Sequence, residues 1–188
     1  MYVTSATASE HRITLELLVD IANAIADDDG GADAPQVRAL LVEAGFSRAP
    51  DAPAAAMHRL VDRMTTLSGF LAALPDLDGP AASARVSEEL TELPITPSIV
   101  DHGDVGPHIH WTPPTARFDD QVMADLMMAL AQELCDDATS RFGTCGADGC
   151  DHLFYDATRN RSKRFCADPR CASRTHTARH RERRARDT

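Results

Sequence analysis

Apolar residues recur every three or four positions in five stretches of the chain, the period of a helix with one buried face. Ile13, Leu17, Leu18, Ile21 and Ile25 predict a first helix over about Ser9–Asp27, stopped by Asp27-Asp28-Asp29-Gly30-Gly31. Val37, Leu40, Leu41 and Ala44 predict a short second one over Ala34–Ala44, with Gly45 where a C-cap belongs. Met57, Leu60, Val61, Met64, Leu67 and Leu71 line a third over Ala52–Leu74. Val86, Leu90 and Leu93 line a fourth over Ala81–Leu93, ended by Pro94. The broadest apolar face belongs to Asp119–Thr139, with Val122, Met123, Leu126, Met127, Leu130 and Leu134. Between the last two helices the prolines 94, 97, 107, 113 and 114 break the pattern. There Ser98–His102 and His108–Trp111 read as short strands around a Gly103–Gly106 turn. Residues 1–140 are therefore expected to form a helical body with a small β-hairpin excursion.

Charge divides the chain at a similar place. Residues 1–140 hold seven Arg, no Lys and 23 Asp or Glu, a net charge of −16, whereas residues 141–188 carry +6. From Arg159 onward the balance is +8. A basic arm on an acidic body points to a polyanionic partner for the arm alone. The overall length of 188 residues suits one medium domain with a small appendage. No run of about 18 apolar residues exists, and Met1–Arg12 lacks a basic segment followed by an apolar one. A cytoplasmic protein with no membrane span is the expectation.

Four of the five cysteines lie in the basic segment. Four residues separate Cys145 from Cys150, fifteen separate Cys150 from Cys166, and four separate Cys166 from Cys171. An odd total without an export signal argues against a disulfide scaffold. Two equal ligand pairs around a short spacer suit a structural Zn2+, which takes four thiolates and leaves no position for a reactive water. The spacing excludes a redox C-x-x-C pair. Leu153-Phe154-Tyr155 reads as a strand, Asp156–Ser162 as a turn, and Lys163-Arg164-Phe165 as the return of a hairpin to Cys166. Asp168 can N-cap a helix with Pro169 at its first position, which puts Cys171 in the first turn. Knuckle, hairpin and ligand-bearing helix describe a treble-clef-like finger. So few apolar side chains would not fold this segment alone, so zinc is expected to contribute most of its folding energy. Cys135, inside the Asp119–Thr139 helix, is expected as a buried structural thiol.

The segment resembles the CGNR zinc finger family. The likeness rests on the four cysteines, Leu153-Phe154-Tyr155-Asp156, the basic turn Arg159-Asn160-Arg161-Ser162-Lys163-Arg164, Phe165-Cys166 and the basic helix beyond. Where the naming motif reads Cys-Gly-Asn-Arg, this chain has Cys171-Ala172-Ser173-Arg174. The family usually carries an N-terminal helical ABATE domain, considered a ligand-sensing module, and is described as stress-induced transcription regulators. The body is similar to that domain in length and layout, with Leu15–Ala24 resembling its opening helix. The resemblance implies a bacterial-type regulator that associates with the nucleoid when bound.

After Cys171 the chain is rich in Arg and lacks an apolar stripe. On a helix Arg174, Arg181 and Arg184 share one side, and His176, Arg179, Arg183 and Arg186 another. Arg forks match phosphate oxygens and guanine edges, so double-stranded DNA is the expected partner. The expected contacts are Arg174, Arg179, Arg181, Arg183 and Arg184, with Arg159, Arg161, Lys163 and Arg164 on the flanking backbone. The alternative is a frayed tail, or an adaptor that binds an acidic protein of the transcription machinery. The acidic body would repel DNA, so its expected jobs are dimerisation or sensing a small molecule in a pocket among Met57, Met64, Met123, Met127 and Met128. His102, His108 and His110 around the excursion suggest a second site for a metal or anion, against a surface hairpin packed beside Trp111. No phosphate loop, nucleophile elbow or His-Glu-x-x-His helix is present, and no enzyme is expected. His152 with Asp156 is the one pair resembling a metal-dependent nuclease.

Overall fold

The computed structural model describes residues 5–27, 34–101 and 106–186, with side chains described from residue 9 onward. His102 lies outside the described residues. The fold is mainly α, in the order α1 (Ser5–Ala26), α2 (Ala34–Glu43), α3 (Ala54–Ala73), α4 (Gly79–Thr91), β1 (Ser98–Asp101), β2 (Pro107–His110), α5 (Phe118–Asp137), β3 (Phe142–Thr144), β4 (Leu153–Tyr155) and α6 (Pro169–Arg186). No helix among the described residues is long and apolar enough to cross a membrane.

Local chemistry sets the helix ends. Gly45 takes φ +89°, letting Phe46 N–H reach Leu41 O at 3.0 Å and Gly45 N–H reach Val42 O at 3.1 Å. This paired closure satisfies carbonyls that the last turn of α2 leaves open. Asp78 caps α4, its carboxylate accepting from Ala81 N–H at 2.7 Å. Ala138 turns out of the helix at φ +51°, which ends α5 two residues before the expected Thr139. Thr139 Oγ1 then donates to Leu77 O at 2.9 Å, tying this corner to the turn after α3.

α5 is the central element, packed against α1, α3 and α4. Val122, Met123, Leu126, Met127 and Leu130 are fully enclosed, as are Met57, Leu60, Met64 and Leu67 of α3. Met128 is only half-buried. Asp119 at the start of α5 is fully buried and clasped by Arg59 of α3, with Nη2–Oδ1 at 2.7 Å and Nε–Oδ2 at 3.1 Å. Asp120 takes Arg117 at 2.8 Å and Arg63 at 3.1 Å, and these guanidiniums hold its carboxyl below the usual range. Cys135 is exposed, not buried. It lies one residue, about 100° of helix, beyond Leu134, and so falls off the apolar face.

The excursion forms the ribbon β1–β2, antiparallel, with Ser98 opposite His110 and Val100 opposite His108. Trp111 follows it, half-buried against the core.

The second hairpin differs from the one expected. β4 pairs with β3 upstream, Phe142 opposite Tyr155 and Thr144 opposite Leu153, not with Lys163–Phe165. Asp156 is the reason. Its buried carboxylate accepts from Thr158 N–H at 2.8 Å, Thr158 Oγ1 at 2.6 Å and Lys163 N–H at 2.7 Å, gathering 156–163 into a capped loop. Gly143 is required opposite Phe154, because a β-carbon there would sit 2.5 Å from the ring. Phe142, Leu153 and Tyr155 belong to the same continuous core as the helices. The start of the finger is thus built into the body.

Candidate metal centre

β3 and β4 hold the first cysteine pair in the connection between them. Cys145 N–H donates to His152 O at 2.8 Å, and Cys150 N–H donates to Ala147 O at 3.1 Å. Gly149 at φ +70° closes this knuckle. The second pair sits where the loop meets α6. Asp168 caps that helix, accepting from Arg170 N–H at 2.8 Å, and Pro169 is its first residue, as the sequence predicts. Cys171 therefore occupies the first turn. Gly146 N–H donates to Arg164 O at 2.8 Å and fastens one pair to the other.

The four sulfurs lie within 4.8 Å of one another. Cys166 Sγ is 3.8 Å from Cys171 Sγ and 4.0 Å from Cys150 Sγ. Four thiolates around one zinc at about 2.3 Å stand about 3.8 Å apart in a tetrahedron, so the cluster fits the ion. Cys145, Cys166 and Cys171 are buried and Cys150 is half-buried, which leaves a closed structural site. Burial pushes the Cys166 thiol up to about 12. Cys145 is desolvated as well, but backbone N–H donors at Cys166 and Ala147 draw it down to about 7. A cation among the sulfurs is what allows all four to ionise. Residues 141–184 match the CGNR zinc finger. No curated protein matches the chain.

The CGNR finger carries a structural zinc through these four cysteines. Its departures from the naming motif are mild in place: Ala172 is half-buried at the start of α6 and Ser173 faces solvent. Arg174, one of the expected DNA contacts, points its Nη2 at Cys171 Sγ, 3.7 Å away. A guanidinium there offsets the charge that four thiolates leave on a divalent ion.

The remaining basic residues of the finger separate into two groups. Arg161, at φ +48°, pairs with Asp137 of α5 and donates to Ser140 Oγ at 2.9 Å. Lys163 Nζ donates to Tyr155 O at 3.1 Å and lies over the Phe154 ring at 5.8 Å. Arg159 and Arg164 are exposed on the loop. Arg179, Arg181, Arg183 and Arg184 are exposed along α6, where from Thr177 to Arg186 every residue faces solvent.

Among the polar side chains of the body that hold the finger, Asn23 and Glu133 have no signature in the sequence spacing. Asn23 of α1 brackets Leu153, accepting its N–H at 2.8 Å and donating to its carbonyl at 3.0 Å. Glu133 of α5 is buried and accepts from Tyr155 OH at 3.0 Å, with His11 Nε2 at 3.2 Å. Tyr155 is consequently held well above its ordinary pKa, by burial first and then by Glu133. Arg141 bridges Asp137 and the loop, its Nη1 donating to Asp156 O at 3.0 Å. His152 does not meet Asp156; its Nε2 contacts Asp27 Oδ1 at 2.7 Å. The nuclease-like pair is not assembled.

In the excursion, His108 Nε2 and His110 Nε2 are 3.1 Å apart. Met57, Met64, Met123 and Met127 are packed side chains of the core.

Proposed function

We propose that the protein is a zinc-dependent DNA-binding transcription regulator, with α6 as the DNA-contacting element and the acidic body as the part that senses a ligand or pairs two copies. The observation that carries this reading is α6 itself. It runs 18 residues from a metal-anchored first turn, and arginines occupy its exposed surface from Arg174 to Arg186. A helix polar on every side gains nothing from a core and is suited to a charged groove. Arg179, Arg181, Arg183 and Arg184 are the direct contacts in this reading, and Arg159 and Arg164 reach flanking phosphates. Arg161, Lys163 and Arg174 already hold groups of the protein, so their part is to position the others. The protein works in this reading in the cytoplasm, on the nucleoid, and catalyses no reaction.

A duplex-DNA titration with zinc-loaded protein tests this, using the chain's own upstream region and random DNA at two salt concentrations. Binding is expected to weaken steeply with salt, with a logarithmic slope of about −5 if all six arginines neutralise phosphates. Arg181→Ala is expected to flatten that slope by about one. Absence of binding by folded, zinc-loaded protein at either salt overturns the reading in favour of an adaptor for an acidic protein.

A further inference from the structure

The β1–β2 ribbon is built inside out. Its register puts Val100, His108 and His110 on one face and Ile99 and Ile109 on the other. The histidine face is half-buried, while Ile99 is 79% and Ile109 50% exposed. Turning the ribbon over would bury both isoleucines and send both histidines to water, the arrangement that apolar burial favours. The ribbon keeps the opposite one, so something other than hydrophobic burial fixes the histidines inside.

Their geometry is that of a chelate. The two Nε2 atoms are 3.1 Å apart. Two imidazole nitrogens bound to one ion at 2.0–2.1 Å stand ~2.9 Å apart at a right angle and ~3.3 Å apart at the tetrahedral angle. His108 Nδ1 lies 2.9 Å from Gly106 O, which places the proton on Nδ1 and turns the Nε2 lone pair toward His110. A ligating histidine is oriented by its other nitrogen in just this way. Asp125 of α5, half-buried and within electrostatic reach of His108, supplies a compensating charge. Burial raises its pKa to about 7 and His108 pulls it back down, so a cation beside His108 would favour the carboxylate.

We propose that His108 and His110 form a second metal site, a two-nitrogen chelate for a borderline divalent ion such as Zn2+, Ni2+ or Cu2+, with water in the remaining positions and Asp125 balancing the charge. On binding, the proton that His110 Nε2 shares with His108 is carried on His110 Nδ1 instead, so both Nε2 lone pairs face the ion. The site is separate from the four cysteines and independent of any role for α6 on DNA.

The test is a Zn2+ titration of the full-length chain beyond the first equivalent, followed by long-range 1H–15N spectra of the imidazoles. The second equivalent is expected to shift the Nε2 signals of His108 and His110. His110→Ala is expected to weaken that equivalent at least tenfold and Asp125→Asn about tenfold, with the first equivalent unchanged. His176 and His180, one turn apart on α6, are the competing pair, so the His176→Ala/His180→Ala variant must retain the second ion. A second equivalent that leaves the His108 and His110 signals unmoved overturns the proposal. So does a second ion that survives in the folded His108→Ala/His110→Ala variant.

Discussion

The two halves of the finger are held by different chemistry. The β3–β4 half is embedded: Phe142, Leu153 and Tyr155 share the body's core, and Asn23 and Glu133 bond to it directly. In the α6 half, Cys171 is buried while from Thr177 to Arg186 the helix is wholly exposed. Burial and hydrogen bonds secure one half, and metal ligation the other. The finger is therefore a graded extension of the body, rigid at its base and dependent on zinc toward its tip. Isolating it from residues 1–140 would strip the base of its apolar partners.

The largest test of that contrast is loss of the metal. Cys166→Ser or a strong chelator removes a ligand set whose binding is worth about 10–16 kcal/mol in zinc-finger peptides. α6 is expected to lose its helical circular dichroism and its amide protection. The β3–β4 amides, particularly Leu153, are expected to stay protected in the same sample, because their bonds run to α1. Simultaneous exchange of both halves would show that zinc folds the whole finger as one unit.

The converse test removes the body's grip. Asn23→Ala leaves the Leu153 N–H and carbonyl without their partners, at a cost of about 1–3 kcal/mol. Denaturant unfolding should report that loss, while zinc stoichiometry stays at four thiolates per ion. A neutral effect would mean that the apolar contacts of Leu153 and Tyr155 alone secure the hairpin.

The smallest effect concerns Arg174. Arg174→Gln deletes the guanidinium beside Cys171 Sγ, and zinc affinity is expected to drop about tenfold as for other groups that orient a ligand. Arg181→Gln, farther along α6, should leave zinc affinity unaltered. Equal zinc affinity in the two variants would return Arg174 to the set of residues available to a partner.

What could be read in advance follows the range of the interactions. The helices, the Gly45 closure, the Asp168 cap and the cysteine quartet all rest on residues close in sequence, and the structure has them where the pattern predicts. The partner of β4 could not be read that way. Phe142–Thr144 is only three residues long, and Asp156 diverts the expected return strand through side-chain bonds. The clamps from Asn23 and Glu133 span 130 and 22 residues and have no local signature. Cys135 is a different case. Its helical angle from Leu134 placed it outside the apolar face, and a thiol's usual preference for burial concealed this.

The free length of α6 makes the zinc cluster a pivot. From Cys171 to Arg186 the helix axis extends about 22 Å, so a tilt of about 5° at the sulfurs swings the far arginines by about 2 Å. That displacement is comparable with the range over which a hydrogen bond is made or lost, while residues near Cys171 barely move. Ångström-scale adjustments among four thiolates are in this way magnified into the reach of the arginines.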